Sequence, residues 1–169
     1  VCPSSRFLAR RMAGAVGDLG EGDIIAELGA GTGAVTSELY PLAASRKARL
    51  YCVEFEPALA EILSGRFPGA VVANDSAENI GKIVGAENLG RLRAIVSCLP
   101  LVSLPKPLVA EILAAAESAL PPGARFVQFT YNLARPPESL GFKKMTHLGV
   151  SFVALNLPPA RVDTFVKGA

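Results

Sequence analysis

An apolar run leads directly into a glycine-rich turn early in the chain. Residues 23–28 carry strand-favouring side chains, and Gly29, Gly31 and Gly33 follow at alternating positions before a helical pattern begins. Glycines permit a tight turn and the close approach of a ligand to the backbone, while the first N–H groups of the following helix are unpaired. The segment therefore predicts a strand–turn–helix unit that binds a nucleotide-like cofactor. Its spacing fits NAD as well as another adenosine-bearing molecule.

Short apolar runs alternate with helical patterns over the first 130 residues. The predicted strands lie at 23–28, 49–54, 70–73, 92–98 and 125–131, and the predicted helices at 35–39, 57–66 and 108–120. This alternation is typical of a mostly parallel sheet with helices on both faces. After a proline-containing loop at 132–140, the runs 141–145 and 150–157 predict a closing antiparallel pair. We predict a Rossmann-like α/β fold with seven strands.

Composition sets limits on what the chain can do. Its 169 residues, half of them hydrophobic, predict a single domain over residues 1–169. The formal charge of +2 is far below that of a dedicated nucleic-acid binder. Mean hydropathy is +0.37, yet no apolar run approaches the roughly 18 residues that a spanning helix needs. Such a composition fits a peripheral membrane protein, a well-packed monomer or an oligomer interface equally well.

Cysteine usage and the N-terminus indicate the compartment. Cys2, Cys52 and Cys98 are odd in number and lack metal-ligand spacing, so we expect reduced structural thiols and no metal. No secretory signal is visible, and we expect a cytoplasmic protein whose natural start lies upstream of Val1. Residues 1–16 predict a small basic amphipathic helix, capped by residues 3–5, with Leu8, Met12, Ala15 and Val16 opposite Arg6 and Arg10.

Acidic residues at strand ends distinguish among the cofactors. Glu27 lies in the strand before the glycine turn. A dinucleotide would place its anionic pyrophosphate there, and an acidic side chain would not favour its binding. S-adenosylmethionine has no phosphate but carries an ammonium and a sulfonium, which a carboxylate suits. The alternative for Glu27 is a solvated strand-end charge. Glu54 ends the second strand and could accept both ribose hydroxyls, and Asp75 either meets the adenine amino group or caps a turn.

The spacing of Glu27, the three glycines, Glu54 and Asp75 resembles that of S-adenosylmethionine-dependent methyltransferases. Further segments resemble bacterial phospholipid N-methyltransferases, which are similar to ribosomal RNA adenine dimethylases; they lie at 3–5, 97–101, 120–123, 128–131 and 156–160. Cys98 departs from the glycine expected there.

The resemblance implies stepwise methylation of phosphatidylethanolamine and its methylated intermediates to phosphatidylcholine, without a metal, and with S-adenosylhomocysteine as the product of the cofactor. It implies a peripheral enzyme on the inner face of the membrane, whose basic N-terminal helix meets anionic head groups. The implied cofactor-binding residues are Glu27, Gly29, Ala30, Gly31, Gly33, Glu54, Phe55, Asp75, Ser76 and Ser97. The implied catalytic residues are Ser97, Leu99, Pro100, Leu101, Tyr40 and Tyr131.

The loop after the fourth strand indicates the substrate. Enzymes that methylate exocyclic base amines place an amide or carboxylate, a proline and a stacking aromatic ring there. Ser97 and Leu101 replace the first and last of these, which favours an aliphatic amine, although a purely structural turn is the alternative. Tyr40 and Tyr131 either touch substrate or pack. His147, in a basic surface stretch with Lys143 and Lys144, is not expected to be catalytic, but that stretch could meet lipid phosphate.

Three other functions stay open on the sequence. The first is an RNA adenine N6-dimethyltransferase, which would bind structured RNA with a steep salt dependence. The second is a non-catalytic S-adenosylmethionine-binding domain. A dinucleotide oxidoreductase comes last, because no hydride-transfer machinery is visible. We expect neither a nucleic-acid partner nor an obligate protein partner.

Overall fold

The structure, a computed structural model, describes residues 6–169. The strands are β1 Ile24–Leu28, β2 Arg49–Val53, β3 Val71–Ala73, β4 Leu92–Ser97, β5 Arg125–Thr130, β6 Met145–Val153 and β7 Ala160–Lys167. The helices are α1 Arg6–Gly14, α2 Thr36–Ser45, α3 Pro57–Arg66, α4 Ile80–Val84 and α5 Lys106–Ala119. Short 3₁₀ turns occur at Ala77–Asn79, Leu89–Arg91 and Pro137–Leu140.

All seven strands form one sheet in the order β3-β2-β1-β4-β5-β7-β6. Strands β1 to β5 are parallel, and β7 runs antiparallel to both β5 and β6. Because β1 lies between β2 and β4, the chain leaves β1 on one side and later returns on the other. The carboxyl ends of these strands therefore open a crevice, which is where α/β sheets bind ligands.

Two apolar clusters cover the two faces of the sheet. On one face, strand residues such as Ile25 and Val127 pack against α1, α2 and α3 through Leu8, Leu39 and Leu63. On the other face, residues such as Ile24 pack against α4 and α5. The split follows from the two-residue period of a strand, which sends neighbouring side chains to opposite faces. The predicted seven-stranded sheet with helices on both faces is confirmed.

The closing antiparallel pair exists, but its predicted bounds were wrong. We placed its strands at 141–145 and 150–157, whereas β6 is Met145–Val153 and β7 is Ala160–Lys167. Residues 154–159, with Pro158 and Pro159, form the connection instead, because proline cannot donate to a sheet ladder. Strand β6 is the edge strand of the sheet, and its alternating apolar side chains Leu148, Val150 and Phe152 are exposed rather than buried.

Helix α1 is shorter than predicted, and its apolar face has a different use. Residues 1–5, including the expected cap and Cys2, lie outside the described residues, and the helix ends at Gly14 rather than residue 16. Leu8 and Met12 are fully buried in the core, so the apolar face packs on the domain itself and is not available to a membrane. The Nε atoms of Arg6 and Arg10 lie 3.8 and 3.5 Å from Oε1 of Glu38 in α2.

Candidate cofactor and acceptor site

The turn after β1 requires glycine at three positions. Gly29, Gly31 and Gly33 have φ values of 70, 57 and 87°, a region that side chains with a Cβ rarely adopt. A Cβ on Gly29 would lie 2.5 Å from Cδ2 of Leu99, and one on Gly33 would lie 2.7 Å from Cε2 of Phe67. The turn, which includes the buried Ala30, therefore presents bare backbone at the carboxyl end of β1.

Glu54 joins the end of β2 to this turn. Its Oε2 accepts a hydrogen bond from the N–H of Gly31 at 2.7 Å, and its Oε1 accepts one from the N–H of Glu56 at 2.9 Å. The side-chain amide of Asn74 donates to the carbonyls of Glu54 and Phe55, at 2.9 and 2.8 Å. A carboxylate has about four lone-pair sites, so the side chain keeps acceptor capacity for two ribose hydroxyls at the place predicted from the sequence.

Asp75 holds a turn at the end of β3. Its Oδ1 accepts hydrogen bonds from the side-chain amide of Asn79 at 2.8 Å and from the N–H of Ser76 at 2.7 Å. Both bonds lower the pKa of Asp75, and the bond from Asn79 has the larger effect. Of the two roles considered for Asp75, the structure contains the turn-capping one. Nearby, the ring of Phe55 is 76% exposed and could cover an adenine.

Glu27 is buried beneath the glycine turn and is not a solvated charge. It has no exposed surface, and its Oε2 accepts a hydrogen bond from the Thr36 hydroxyl at 2.7 Å. The Sγ atoms of Cys52 and Cys98 lie 3.8 and 3.5 Å from its two carboxylate oxygens. We expected Glu27 to face the cofactor's cationic groups. Its side chain instead points towards α2, which covers the face of β1 from which Glu27 projects.

Burial controls the protonation of this cluster. Desolvation raises the pKa of Glu27 to about 7, against an opposing effect of the Thr36 hydrogen bond. Burial, followed by the nearby Glu27 carboxylate, raises the pKa of both Cys52 and Cys98. The two thiols therefore stay protonated, as expected for structural cysteines, and both are free.

Residues 97–101 connect the glycine turn to a cavity. The N–H of Cys98 donates to the carbonyl of Leu28 at 2.8 Å, which continues the alignment of β4 with β1. Leu99 packs on Gly29, whereas Leu101 is buried on the other side of Pro100 and lines the cavity. The hydroxyl of Ser97 is buried without a hydrogen-bond partner among residues 6–169.

The acceptor cavity, as we call it, has a volume of about 270 Å³ and lies beyond the carboxyl ends of β4 and β5. Tyr131 lines it and is 39% exposed, with its ring 5.3 Å from that of Phe129 in an edge-on arrangement. Apolar and polar side chains share the wall: Pro100, Leu101, Val102, Ser103, Gln128, Phe129, Thr130, Tyr131, Asn132, Arg135, Pro136, Pro137, Ser139, Leu140, Arg161 and Asp163. Three of the predicted catalytic residues, Pro100, Leu101 and Tyr131, are therefore brought together.

Tyr40 is not part of this site. Its hydroxyl accepts a hydrogen bond from the N–H of Gly69 at 3.2 Å, and its ring packs 5.3 Å from Phe67. Gly69 precedes β3, and Tyr40 is not among the described residues that line the acceptor cavity. Of the two roles considered for Tyr40, the structure contains the packing one, against the residue that follows α3.

Sequence reasoning missed a buried polar cluster at the cavity. Gln128, Arg161 and Asp163 line it, and each is at most 6% exposed. His147, expected on the surface, is half-buried in β6, and its Nε2 lies 3.6 Å from Oδ1 of Asp163. The sequence signal was the alternation of Arg161 and Asp163 with apolar residues in the segment 160–167, which is a strand pattern. We did not use it, because we predicted the last strand at 150–157.

Comparison with known proteins identifies the fold. No protein-family model and no curated protein matches the chain. TrmN from Thermus thermophilus matches 95% of this chain with a TM-score of 0.75 at 16% identity, and the chain spans only 48% of that protein. A putative rRNA-methylase from Clostridium thermocellum matches with a TM-score of 0.70 at 14% identity, over 98% of this chain and 97% of its own.

A third similar structure holds ligands. Geranyl diphosphate C-methyltransferase from Streptomyces coelicolor, in complex with Mg²⁺, geranyl-S-thiolodiphosphate and S-adenosylhomocysteine, has a TM-score of 0.71 at 10% identity, over 94% of this chain and 74% of its own. The chain therefore has the fold of S-adenosylmethionine-dependent class I methyltransferases, and the predicted fold class is confirmed. The S-adenosylhomocysteine in that third structure is the product of the expected cofactor. The narrower resemblance to phospholipid N-methyltransferases has no support among them and stays a prediction.

Replacing Glu54 tests the ribose contact. Glu54→Ala removes a charged acceptor, and losing such hydrogen bonds typically costs about 1.5–3 kcal/mol, so Kd for S-adenosylmethionine should rise roughly 10- to 150-fold. Glu56→Ala, an exposed neighbour, is the matched control and should leave Kd unchanged. Isothermal titration calorimetry measures both, and near-normal affinity in Glu54→Ala would contradict the assignment.

The pKa of Glu27 predicts a pH-dependent stability. The folded chain holds this proton more tightly than the unfolded chain, so its contribution is full below the ordinary pKa of 4.5 and is lost as pH rises to about 7. The difference corresponds to about 3 kcal/mol. Glu27→Gln should match the parent protein in urea unfolding at pH 4.5 and exceed it by up to that amount at pH 8. Glu61→Gln, at an exposed position, should show no such change, and an equal effect of both variants would refute the prediction.

Proposed function

We propose that this protein is an S-adenosylmethionine-dependent N-methyltransferase that acts on the amine of phosphatidylethanolamine and its methylated intermediates. The cofactor fits the residues present. Gly29 and Gly31 offer bare backbone at the end of β1, Glu54 offers acceptors for the ribose, and exposed Phe55 offers a ring for adenine. The observation that carries the proposal is the position of the acceptor cavity. Leu99 contacts the glycine turn, and the next two residues, Pro100 and Leu101, line the cavity.

The chemistry asks for alignment more than for a strong base. Bound S-adenosylmethionine supplies an electrophilic methyl group on its sulfonium. The residues of this chain hold the acceptor nitrogen in line with that methyl group and exclude competing water, which are effects of proximity and orientation. Leu99 contacts the glycine turn on one side of Pro100, and Leu101 lines the cavity on the other. This turn therefore lies between the methyl donor and the acceptor.

The wall of the cavity favours an aliphatic amine. Leu101 and Phe129 are buried apolar side chains in it, and Ser103, Thr130 and Asn132 offer side-chain oxygen acceptors. A small amine needs acceptors for its N–H groups and apolar surroundings for its carbon chain, which is the composition of this wall. Leu101 cannot stack a nucleobase, so the wall gives less support to an RNA substrate.

Exposed apolar side chains support action at a lipid surface. Leu155 and Leu157, in the connection between β6 and β7, are 72% and 88% exposed. A separate groove of about 490 Å³ places Phe7, Arg10 and Phe152 side by side. Apolar side chains beside cations suit the boundary of an anionic bilayer. No helix among residues 6–169 is long and apolar enough to span a membrane, and we propose peripheral attachment to the inner face of the cytoplasmic membrane.

A methyl-transfer assay on two kinds of acceptor tests the function. The protein, incubated with methyl-labelled S-adenosylmethionine, should transfer label to vesicles that contain phosphatidylethanolamine and leave structured RNA unlabelled. Leu101→Ala should lower transfer to lipid more than it weakens cofactor binding, because Leu101 lines the acceptor cavity. Label in RNA alone would replace the proposal with an RNA methyltransferase, and cofactor binding without transfer to either acceptor would indicate a non-catalytic domain.

A further inference from the structure

Arg135 brings a positive charge to the acceptor cavity that no carboxylate neutralises. Its side chain lines the cavity and is half-buried, and it forms no salt bridge among residues 6–169. Its Nε donates to the Ser139 hydroxyl at 2.7 Å, and its Nη2 donates to the Ser139 carbonyl at 3.3 Å. A guanidinium has more N–H donors than these two bonds use, so Nη1 in particular keeps its donors for an anion.

The backbone around Arg135 is held by a buried ion pair. Arg161 donates from Nη2 to the carbonyl of Arg135 at 2.7 Å and from Nη1 to that of Leu133 at 2.8 Å. Arg161 is 6% exposed and is paired with Asp163, so its own charge is already neutralised. Two prolines follow Arg135 in the chain and restrict the backbone of the loop. Arg135 is therefore the cation at this cavity that is both held in place and available.

A second groove, of about 500 Å³, shares part of its wall with the acceptor cavity. We call it the α5 groove. The residues that line both spaces are Leu101, Val102, Arg135, Ser139 and Leu140. The rest of its wall is mostly apolar and belongs to the first half of α5 and the turn before it: Leu104, Lys106, Val109, Ala110 and Leu113. The two spaces are thus neighbours, with Arg135 in the wall of each.

Lys106 adds a second positive charge at the α5 groove. It is the first residue of α5, it is exposed and, like Arg135, it forms no salt bridge in the described part of the chain. Among the described side chains that line the two spaces, the acidic one is Asp163, which Arg161 neutralises. The region where the cavity meets the groove therefore carries a net positive charge and suits an anion.

We propose that Arg135 binds the phosphodiester of the acceptor, with the amine in the acceptor cavity and a hydrocarbon chain in the α5 groove. The inference rests on the proposed function and goes beyond it by assigning the parts of a phospholipid to residues of this chain. In phosphatidylethanolamine an ethylene unit and one ester oxygen separate the amine from the phosphate, so both groups must be held close together. An arginine can donate parallel hydrogen bonds to a phosphate. Arg135 is thus a specificity-determining residue that distinguishes phospholipids from amines without a phosphate.

The wall of the α5 groove favours a lipid as the source of the phosphate. Leu104, Val109 and Leu113 offer apolar surface beside the two cations. Burial of a hydrocarbon chain against such surface is favourable, whereas a nucleic acid presents a repeating row of phosphates and would need a longer series of cations. One phosphate with an attached hydrocarbon chain matches the charge and the apolar surface together.

Binding of three small probes tests the assignment without turnover. Octyl methyl phosphate carries a phosphodiester and a chain, dimethyl phosphate lacks the chain, and octanol lacks the phosphate. Isothermal titration calorimetry on the full chain should give the tightest binding for octyl methyl phosphate. Arg135→Gln should weaken that binding roughly 10-fold or more, because hydrogen bonds to a charged group are lost. It should leave the binding of octanol and of S-adenosylmethionine unchanged.

Two further variants serve as controls. Arg46→Gln removes the same charge from an exposed position that lines neither space, and it should bind all three probes like the parent protein. Arg135→Lys keeps the charge but loses the planar fork of the guanidinium, and its affinity for octyl methyl phosphate should lie between those of the parent and Arg135→Gln. In the vesicle assay, Arg135→Gln should raise KM for phosphatidylethanolamine and change kcat little, because Arg135 binds the phosphate and not the reacting nitrogen.

The outcomes separate the inference from the function. An equal loss of octyl methyl phosphate binding in Arg135→Gln and Arg46→Gln would overturn the phosphate site, even if the parent protein methylates phosphatidylethanolamine. Equal binding of octyl methyl phosphate and dimethyl phosphate to the parent would overturn the α5 groove as a chain site and would indicate a nucleic-acid backbone as the source of the phosphate. Probe binding that depends on Arg135, without methyl transfer to the lipid, would support the phosphate site and overturn the proposed function.

Discussion

The hydrogen bond from the N–H of Gly31 to the Glu54 carboxylate joins two adjacent strands at the point where the crevice opens. It fixes the glycine turn after β1 against the end of β2 at 2.7 Å. The turn itself depends on three positive φ values, and it contacts the loop after β4 through Gly29 and Leu99. A ligand that enters the crevice therefore meets backbone and one carboxylate in a fixed arrangement, so little ordering is required on binding.

The acceptor cavity is coupled to this crevice through Gln128. Its amide donates to the carbonyl of Leu99, and Leu99 packs on the glycine turn. The same side chain faces Asp163 across the sheet, and Asp163 in turn holds Arg161 and, through it, the loop that covers the cavity. The antiparallel strand β7 therefore supplies the charged group that faces Gln128 at this position.

Local patterns revealed the cofactor half of the site. The glycine turn and Glu54 each follow a recognisable strand, and the parallel order brings strand ends together, so their proximity was predictable. The direction of the Glu27 side chain was not predictable in this way, because it depends on which face of β1 the helix α2 covers. The packing role of Tyr40 was not predictable either, because it depends on how α2 contacts Phe67. The pairing of Gln128 with Asp163 depends on the register of β5 against β7. We predicted the last strand at 150–157, whereas β7 begins after Pro158 and Pro159. The two residues could therefore not be matched across the sheet from the sequence.

The central claim is that the glycine turn and Glu54 hold the methyl donor so that it faces the acceptor cavity. A crystal structure with S-adenosylhomocysteine would test this most directly. The account predicts both ribose hydroxyls on the Glu54 carboxylate, and the sulfur directed past Pro100 towards the cavity lined by Leu101 and Tyr131. A cofactor bound away from Glu54, or with its sulfur pointing away from that cavity, would contradict it.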